Sequence, residues 1–182
     1  MADLATLEDL CAGRAESPDA VRELIAAGRL PAASAVDDAG VERFPQDYFA
    51  LLDDAGSVDA LRDRFEARYV VAADTYGAIA GPDELDDAWY DYLAGRFGAR
   101  YLDAEPESAV RAARLSASIE RLLAAPAPED WRWLDRLAGR VRALAATVRP
   151  DAPEDDGEPS LYDRLVRDVR KAYPAAFAER PR

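Results

Sequence analysis

This chain contains few of the side-chain types that carry out polar chemistry. Its 182 residues include no His, one Cys and a single Lys, Lys171. Mechanisms that need Ser and His, Cys and His, a His-bound metal or a Schiff base therefore lack most of their parts. The five carboxylates between residues 83 and 91 lack the glycine-bearing loop of a calcium site. The sequence predicts no metal and no cofactor, and leaves open whether the chain is an enzyme.

Asp47 and Tyr48 are the candidate catalytic residues. They follow Pro45, where we predict the start of a short helix, and the positive end of a helix dipole stabilises a carboxylate there. In an enzyme, Asp47 is the candidate base and the phenol of Tyr48 reaches into a cleft. The alternative is structural, with both side chains capping the helix and packing against it.

Four candidate substrate-binding residues lie on the next two predicted helices: Arg68, Tyr69, Trp89 and Tyr92. The aromatic side chains have the flat, amphipathic shape that lines ligand pockets, or they belong to the core. If Arg68 is buried in mid-helix, it needs a carboxylate partner, and we predict Asp47 by residue type.

Arg111 and Arg114 complete the candidate substrate-binding set. They lie in the one basic block of the chain, residues 108–149, which holds 8 bases and 4 acids within a chain of net charge −13. Guanidinium groups bind sulfate, phosphate and carboxylate through paired hydrogen bonds. The alternative is that these arginines pair with the acidic remainder of the molecule or remain solvated.

Helix start and stop signals predict a mainly α protein. A capping box at Thr6, a cap at Ser17 followed by Pro18, and glycines after apolar periodic stretches separate the helices. Residues 30–44 lose the helical period and predict two short strands joined by a turn at Gly40. We predict a headpiece at residues 1–56 and a helical bundle at residues 57–182, with an acidic linker at residues 150–159.

The headpiece resembles the winged-helix DNA-binding domain of mercury-resistance (MerR) regulators. The segments TLEDL (6–10), SPDAVRELI (17–25), GRLP (28–31) and GVERF (40–44) follow the helix, turn, helix and wing order of that class. The first 50 residues nevertheless carry ten acids and four arginines, a net charge of 4 − 10 = −6. Because DNA binders gain affinity by placing Lys and Arg against phosphates, we expect no nucleic-acid binding.

Four longer segments resemble an uncharacterised actinobacterial family of natural product biosynthesis proteins. They are RFPQDYFALLDDAG (43–56), YDYLAGRFGARYLDAEPESAVR (90–111), IERLLAAPAPEDWRWLDRL (119–137) and LYDRLVRDVRKAYP (161–174). The resemblance implies a role in a secondary-metabolite gene cluster, as the smaller subunit of a two-protein tailoring enzyme. Aziridine-forming pairs that expel sulfate from an amino-acid intermediate are one such system.

In that chemistry a carboxylate such as Asp47 would deprotonate the amine, while Arg68 or the face from Arg111 to Arg121 would hold the departing sulfate. The partners implied are a protein from the same gene cluster and a small amino-acid-derived substrate. Two other classes stay open, a ligand-sensing protein derived from a winged-helix regulator and a transcription regulator. With no apolar run long enough to span a membrane and no secretion signal, we expect a cytoplasmic protein.

Overall fold

The computed structural model describes residues 4–153 and 158–178, and its elements are mainly helices, which confirms the predicted fold class. The chain divides into two compact units, Met1–Val110 and Arg111–Arg182. The predicted domain boundary after residue 56 thus lies inside the first unit, and the division falls within a helix. Residues 154–157 of the predicted acidic linker lie outside the described residues.

The first unit begins with a small antiparallel sheet and two helices. Its elements are β1 (Leu4–Ala5), α1 (Leu7–Cys11), α2 (Pro18–Ala26), β2 (Ala35–Val36) and β3 (Glu42–Pro45). The strand order is β1-β3-β2, with Ala5 opposite Phe44 and Ala35 opposite Arg43. The sequence predicted the β2–β3 pair and missed β1. Whether this order of elements is a winged helix stays a prediction.

Local capping explains where the two headpiece helices begin. The Thr6 hydroxyl accepts a hydrogen bond from the Asp9 amide at 3.2 Å, and the Asp9 carboxylate accepts one from the Thr6 amide at 3.4 Å, as a capping box requires. Ser17 accepts from the Ala20 amide at 3.2 Å, and Pro18 occupies the first helical position. Both predicted starts are confirmed.

The turn between β2 and β3 is closed by the side chain of Asp37. Its Oδ1 accepts hydrogen bonds from the amides of Ala39 at 3.0 Å and Val41 at 2.9 Å. Gly40 has a φ of 77°, a left-handed conformation that side chains disfavour. The turn therefore follows from residue types at fixed spacing, as predicted.

Four helices complete the first unit: α3 (Ala50–Ala55), α4 (Leu61–Thr75), α5 (Pro82–Leu93) and α6 (Arg96–Arg100). The prediction that a helix opens at Pro45 is wrong, because Pro45 ends β3 and residues 46–49 form a turn before α3. The sequence also predicted a short extended segment at residues 100–103, whereas in the structure α6 continues through Arg100. Phe44, Phe65 and Leu61 are almost fully buried in this unit.

Gly95 and Gly98 permit a close backbone approach between the α5–α6 corner and residues 32–34. The Ala32 amide donates to the Leu93 carbonyl at 2.8 Å. A Cβ placed on Gly95 would lie 2.5 Å from the Ala33 carbonyl oxygen, and the Gly95 φ of 75° is left-handed. Only glycine fits this position, and it fixes the headpiece against the α5–α6 corner.

The second unit contains most of α7 (Pro106–Ala124), then α8 (Trp131–Ala145), a π-helical turn (Asp163–Arg167), α9 (Asp168–Ala172) and a short 3-10 turn (Pro174–Ala176). Its core includes Ile119, Leu137, Leu144 and Val166, each almost fully buried. The indole nitrogen of Trp133 donates to the Leu122 carbonyl at 3.2 Å. Apolar residues at helical spacing thus build this unit, as the periodicity predicts.

Within residues 4–153 and 158–178, the helices fall short of the length and apolar character that a membrane crossing demands.

Candidate functional site

Tyr48, a candidate catalytic residue, is a buried structural hydrogen-bond donor. Its hydroxyl donates to the Pro31 carbonyl at 2.7 Å, and its ring makes edge contacts with Phe44 and Phe49. Burial raises the pKa of this phenol far above its ordinary value, since the phenolate would lose its hydration. A base needs the opposite shift, so the environment of Tyr48 does not support proton abstraction.

Asp47, Tyr48 and Tyr92 do come together, around a very small cavity. Its volume is about 10 Å³, which is enough for one water molecule. The Asp47 carboxylate accepts a hydrogen bond from the Ala104 amide at 2.8 Å, which fixes the segment before α7. Burial, followed by the neighbouring charge of Asp47, raises the pKa of Tyr92. The cavity has no room for an amino-acid-derived substrate.

Arg68 is held by three carboxylates, and Asp47 is not among them. Its guanidinium donates to Glu107 at 2.7 and 2.8 Å and to Glu105 at 2.8 Å, and Asp54 lies at 3.5 Å. The predicted pairing with Asp47 is therefore wrong. With three acids around one cation, this cluster has no positive charge to offer a sulfate.

The three aromatic candidates pack around Phe65. The ring of Phe65 lies 6.0 Å from Tyr69, 5.2 Å from Trp89 and 5.2 Å from Tyr92, measured between centroids. The Tyr69 hydroxyl donates to Glu84 at 3.0 Å. These contacts are those of a core with one polar edge, the structural alternative that the sequence left open.

Every headpiece arginine is ion-paired. The partners are Glu16 and Asp53 for Arg14, Glu8 and Asp19 for Arg22, Asp59 for Arg29, and Asp37 for Arg43. The hydrogen bond from Arg14 lowers the pKa of Asp53. Both charges of the Arg14–Asp53 pair therefore persist at neutral pH, and each cation of the headpiece faces at least one carboxylate.

The other arginines of the first unit are also ion-paired. Each of them contacts at least one carboxylate: Arg62, Arg64, Arg68, Arg96 and Arg100. The pairs of Arg62 and Arg64 on α4 are substantially exposed, so each contributes little to stability. Their consequence is electrostatic, since they leave the surface of this unit acidic.

Three arginines on helix α8 differ from those of the first unit in their surroundings. Arg132, Arg136 and Arg140 are exposed and follow one another at four-residue steps, about 6 Å apart along the helix axis. Across the described ranges, 4–153 and 158–178, none of the three makes an ion pair. We call these three residues the α8 arginine face.

Small residues and an exposed indole border the α8 arginine face. Gly139 is exposed in mid-helix, and a Cβ placed there would meet open space. Trp131 is 57% exposed, and the guanidinium carbon of Arg132 lies 5.5 Å from its ring centroid. The sequence predicted these arginines, together with Arg142, on one helix of the basic block, but it did not separate the three, although their four-residue spacing was the signal for doing so.

Arg111 and Arg114, the last two candidates, fall in the second unit on α7. Arg111 is exposed, whereas Arg114 is half-buried. The first unit holds the other six candidate site residues.

A second, larger cavity was not predicted from the sequence. It lies within the headpiece, has a volume of about 320 Å³, and is lined mainly by apolar side chains of α2 and of the segment from Phe49 to Val58. Apolar residues at helical spacing look the same whether they fill a core or border a void, so the sequence contained no signal for it. Its size is at the lower end of small-molecule sites.

Fold and site together define a mainly helical protein with a substrate-sized cavity in its acidic headpiece. Residues 60–174 match the model of DUF6058, a family of unknown function, and the chain belongs to this family. No curated protein matches the chain, and no solved structure does.

Proposed function

We propose that this chain is a protein-binding accessory subunit in natural product biosynthesis, with a winged-helix-like headpiece that does not read DNA. The resemblance of its four segments to natural product biosynthesis proteins supports the pathway class. The observation that carries the proposal is the contrast between the two units. The first unit has all its arginines ion-paired, whereas no carboxylate of residues 4–153 and 158–178 is ion-paired with the α8 arginine face in the second unit.

Ion pairing in the headpiece opposes DNA binding. To reach a phosphate, Arg22 would have to leave Glu8 and Asp19, and Arg43 would have to leave Asp37. The abandoned carboxylates would then lie close to the DNA backbone and repel it. A protein that binds duplex DNA must bring more cations than anions to the phosphates. Breaking these ion pairs would bring the carboxylates to the phosphates together with the arginines.

The α8 arginine face suits the surface of an acidic protein. Arg and Trp are among the side chains most enriched at energetically important interface positions. The exposed Gly139 and Ala143 beside the face allow a partner backbone to approach closely. The net charge of −13 repels an acidic partner at a distance, but salt confines that repulsion to about 8 Å in the cell, so the local face governs contact.

Within such a complex the partner supplies the catalytic groups. Tyr48 is buried and Arg68 is surrounded by acids, so this chain contributes structure and docking to any reaction on an amino-acid-derived substrate, including a sulfate elimination. We place the complex in the cytoplasm.

Co-expression with the products of neighbouring genes tests the proposal. A tagged chain should co-purify one of them in a fixed ratio, and the triple variant Arg132→Gln, Arg136→Gln, Arg140→Gln should lose about tenfold or more of the affinity. The control removes the same charge elsewhere in the second unit, through Arg111→Gln, Arg121→Gln and Arg142→Gln, and should retain the partner. Equal loss in both variants, or no stoichiometric partner, contradicts the proposal.

The headpiece cavity favours a second candidate, a ligand-sensing protein derived from a winged-helix regulator. Its volume of about 320 Å³ accommodates a small ligand without rearrangement. In that case the chain co-purifies with no neighbouring gene product but binds a small molecule.

A further inference from the structure

The floor of the headpiece cavity is apolar and belongs to two helical segments. Val21 and Leu24 come from α2, Leu30 follows that helix, and Phe49 and Leu52 lie at the start of and within α3. Val21 and Leu30 are almost fully buried, whereas Leu24 is half-buried and leaves apolar surface open to the cavity. The cavity thus presents a hydrophobic surface to whatever enters it.

Two carboxylates line the same cavity and share one guanidinium. Asp53 accepts from Arg14 at 2.5 and 2.9 Å, and Glu16 accepts from it at 3.1 and 3.4 Å. The guanidinium carbon of Arg14 lies 4.2 Å from the centroid of the Phe49 ring, which is part of the cavity wall. Arg14 is therefore held by three contacts at once.

The hydrogen bonds among Arg14, Glu16 and Asp53 determine the net charge of these three side chains. The hydrogen bond from Arg14 lowers the pKa of Asp53, and hydrogen bonding from its own backbone amide, followed by Arg14, lowers that of Glu16. Both carboxylates are ionised at neutral pH, so two negative charges meet one positive charge. One negative charge at the edge of an apolar cavity remains uncompensated.

We propose that this cavity binds a small amphipathic ammonium compound, with its hydrocarbon part against Leu24 and Leu52 and its ammonium group between Glu16 and Asp53. A primary ammonium offers three donors to carboxylate oxygens, whose remaining acceptor positions Arg14 leaves available. A ligand carboxylate would meet the net negative charge of the group, so free amino acids and fatty acids bind poorly. This site is independent of the α8 arginine face and of the proposed protein partner.

The test compares three probes of equal chain length at neutral pH: hexylammonium, hexanol and hexanoate. Binding is measured by calorimetry and by amide chemical-shift changes on the full chain. For seven non-hydrogen atoms, a dissociation constant of about 1 mM is expected for hexylammonium, and at least about tenfold weaker binding for hexanoate. Shift changes should centre on Leu24, Leu52 and Asp53.

Two variants connect binding to the cavity. Asp53→Asn neutralises the uncompensated charge and should weaken hexylammonium binding about tenfold without abolishing hexanol binding. Leu24→Trp fills the space and should abolish binding of both probes. Asp38→Asn, on the exposed turn of the headpiece and away from the cavity, is the matched control and should bind as the wild type does.

Hexanoate binding as tightly as hexylammonium overturns the ligand class. Hexylammonium binding unchanged in Asp53→Asn, or retained in Leu24→Trp, overturns the site, and the absence of saturable binding by any probe overturns both. Because Asp53 is half-exposed, Asp53→Asn keeps the test valid even if Leu24→Trp fails to fold.

Discussion

The guanidinium of Arg68 donates two hydrogen bonds to the carboxylate of Glu107, from Nε at 2.7 Å and from Nη2 at 2.8 Å. Arg68 lies near the middle of α4, and Glu107 lies in the first turn of α7. The pair connects α4 to the first turn of α7, and its two residues are 39 positions apart in the sequence. Arg68 therefore has a structural role in the first unit and needs no substrate to explain it.

Replacing Arg68 should destabilise the first unit. In Arg68→Gln, Asp54, Glu105 and Glu107 lose their shared cation and repel one another, at a cost of about 1–2 kcal/mol for a partly exposed cluster. Urea unfolding measures this change, with the exposed Arg62→Gln as the control of smaller effect. If Arg68→Gln unfolds as the wild type does, the cluster does not hold α4 to α7.

Gly95 should be irreplaceable, whereas Gly139 should not. In Gly95→Ala the new Cβ lies 2.5 Å from the Ala33 carbonyl and the φ of 75° is strained, so the free energy of unfolding should fall by about 2–4 kcal/mol. Gly139→Ala adds a Cβ into open space within α8 and should raise helix stability by up to about 1 kcal/mol. Thermal unfolding of the two variants gives shifts of opposite sign if the close approach at Gly95 is real.

Alkaline pH should destabilise the protein through its buried phenols. Burial raises the pKa of Tyr48 and Tyr92 above the ordinary 10.0, so above that pH the unfolded chain releases protons that the folded chain retains. Stability due to these groups is complete below pH 10 and is lost as the pH rises beyond it. Urea unfolding between pH 8 and 11 should show this loss, with a shallower slope in Tyr48→Phe.

Tyr48→Phe also removes a hydrogen bond at every pH. It leaves the buried Pro31 carbonyl without the phenol donor, which should cost about 1–2 kcal/mol at pH 7. A Tyr48→Phe protein with wild-type stability and the wild-type alkaline slope would show that this phenol is solvated.

Acid should destabilise the headpiece hairpin through Asp37. Hydrogen bonding from the Val41 amide, and then from Arg43, lowers the pKa of Asp37 below its ordinary 3.8. A lowered pKa in the folded state stabilises the fold above the unfolded pKa, and the effect is lost as the pH falls through the folded value. Asp37→Asn should therefore be less stable than the wild type at pH 7, and the difference should shrink below pH 3.8.

The neighbouring Asp38→Asn, on the same turn, serves as the control and should match the wild type across this range. A difference between Asp37→Asn and the wild type that stays constant from pH 7 to pH 2 would contradict the charge-based explanation.

Local signals in the sequence were sufficient where the chain interacts with itself over a few residues. The capping box of Thr6 and Asp9, the start at Pro18 and the turn at Gly40 depend on contacts within four residues, and all were predicted. The helix start and stop signals and the apolar periodicity also gave the mainly helical class correctly.

Long-range pairing explains what the sequence did not predict. Strand β1 has two residues and exists through its pairing with Phe44 and Pro45, some forty residues away. Arg68 has carboxylates on several elements within reach, and only the packing of α4 and α7 selects Glu107 over Asp47. Side-chain types list the possible partners, but tertiary structure makes the choice.

The pairing of the headpiece arginines is most directly tested by an electrophoretic mobility shift with duplex DNA at low salt. At about 50 mM salt and protein up to about 10 µM, we predict no complex with the promoter region of its own gene or with random DNA, because Arg22 and Arg43 are neutralised by carboxylates. A discrete, salt-sensitive complex that weakens in Arg22→Gln would contradict the account of the headpiece. A complex lost only when Arg132, Arg136 and Arg140 are replaced would contradict the protein-docking role of the α8 arginine face.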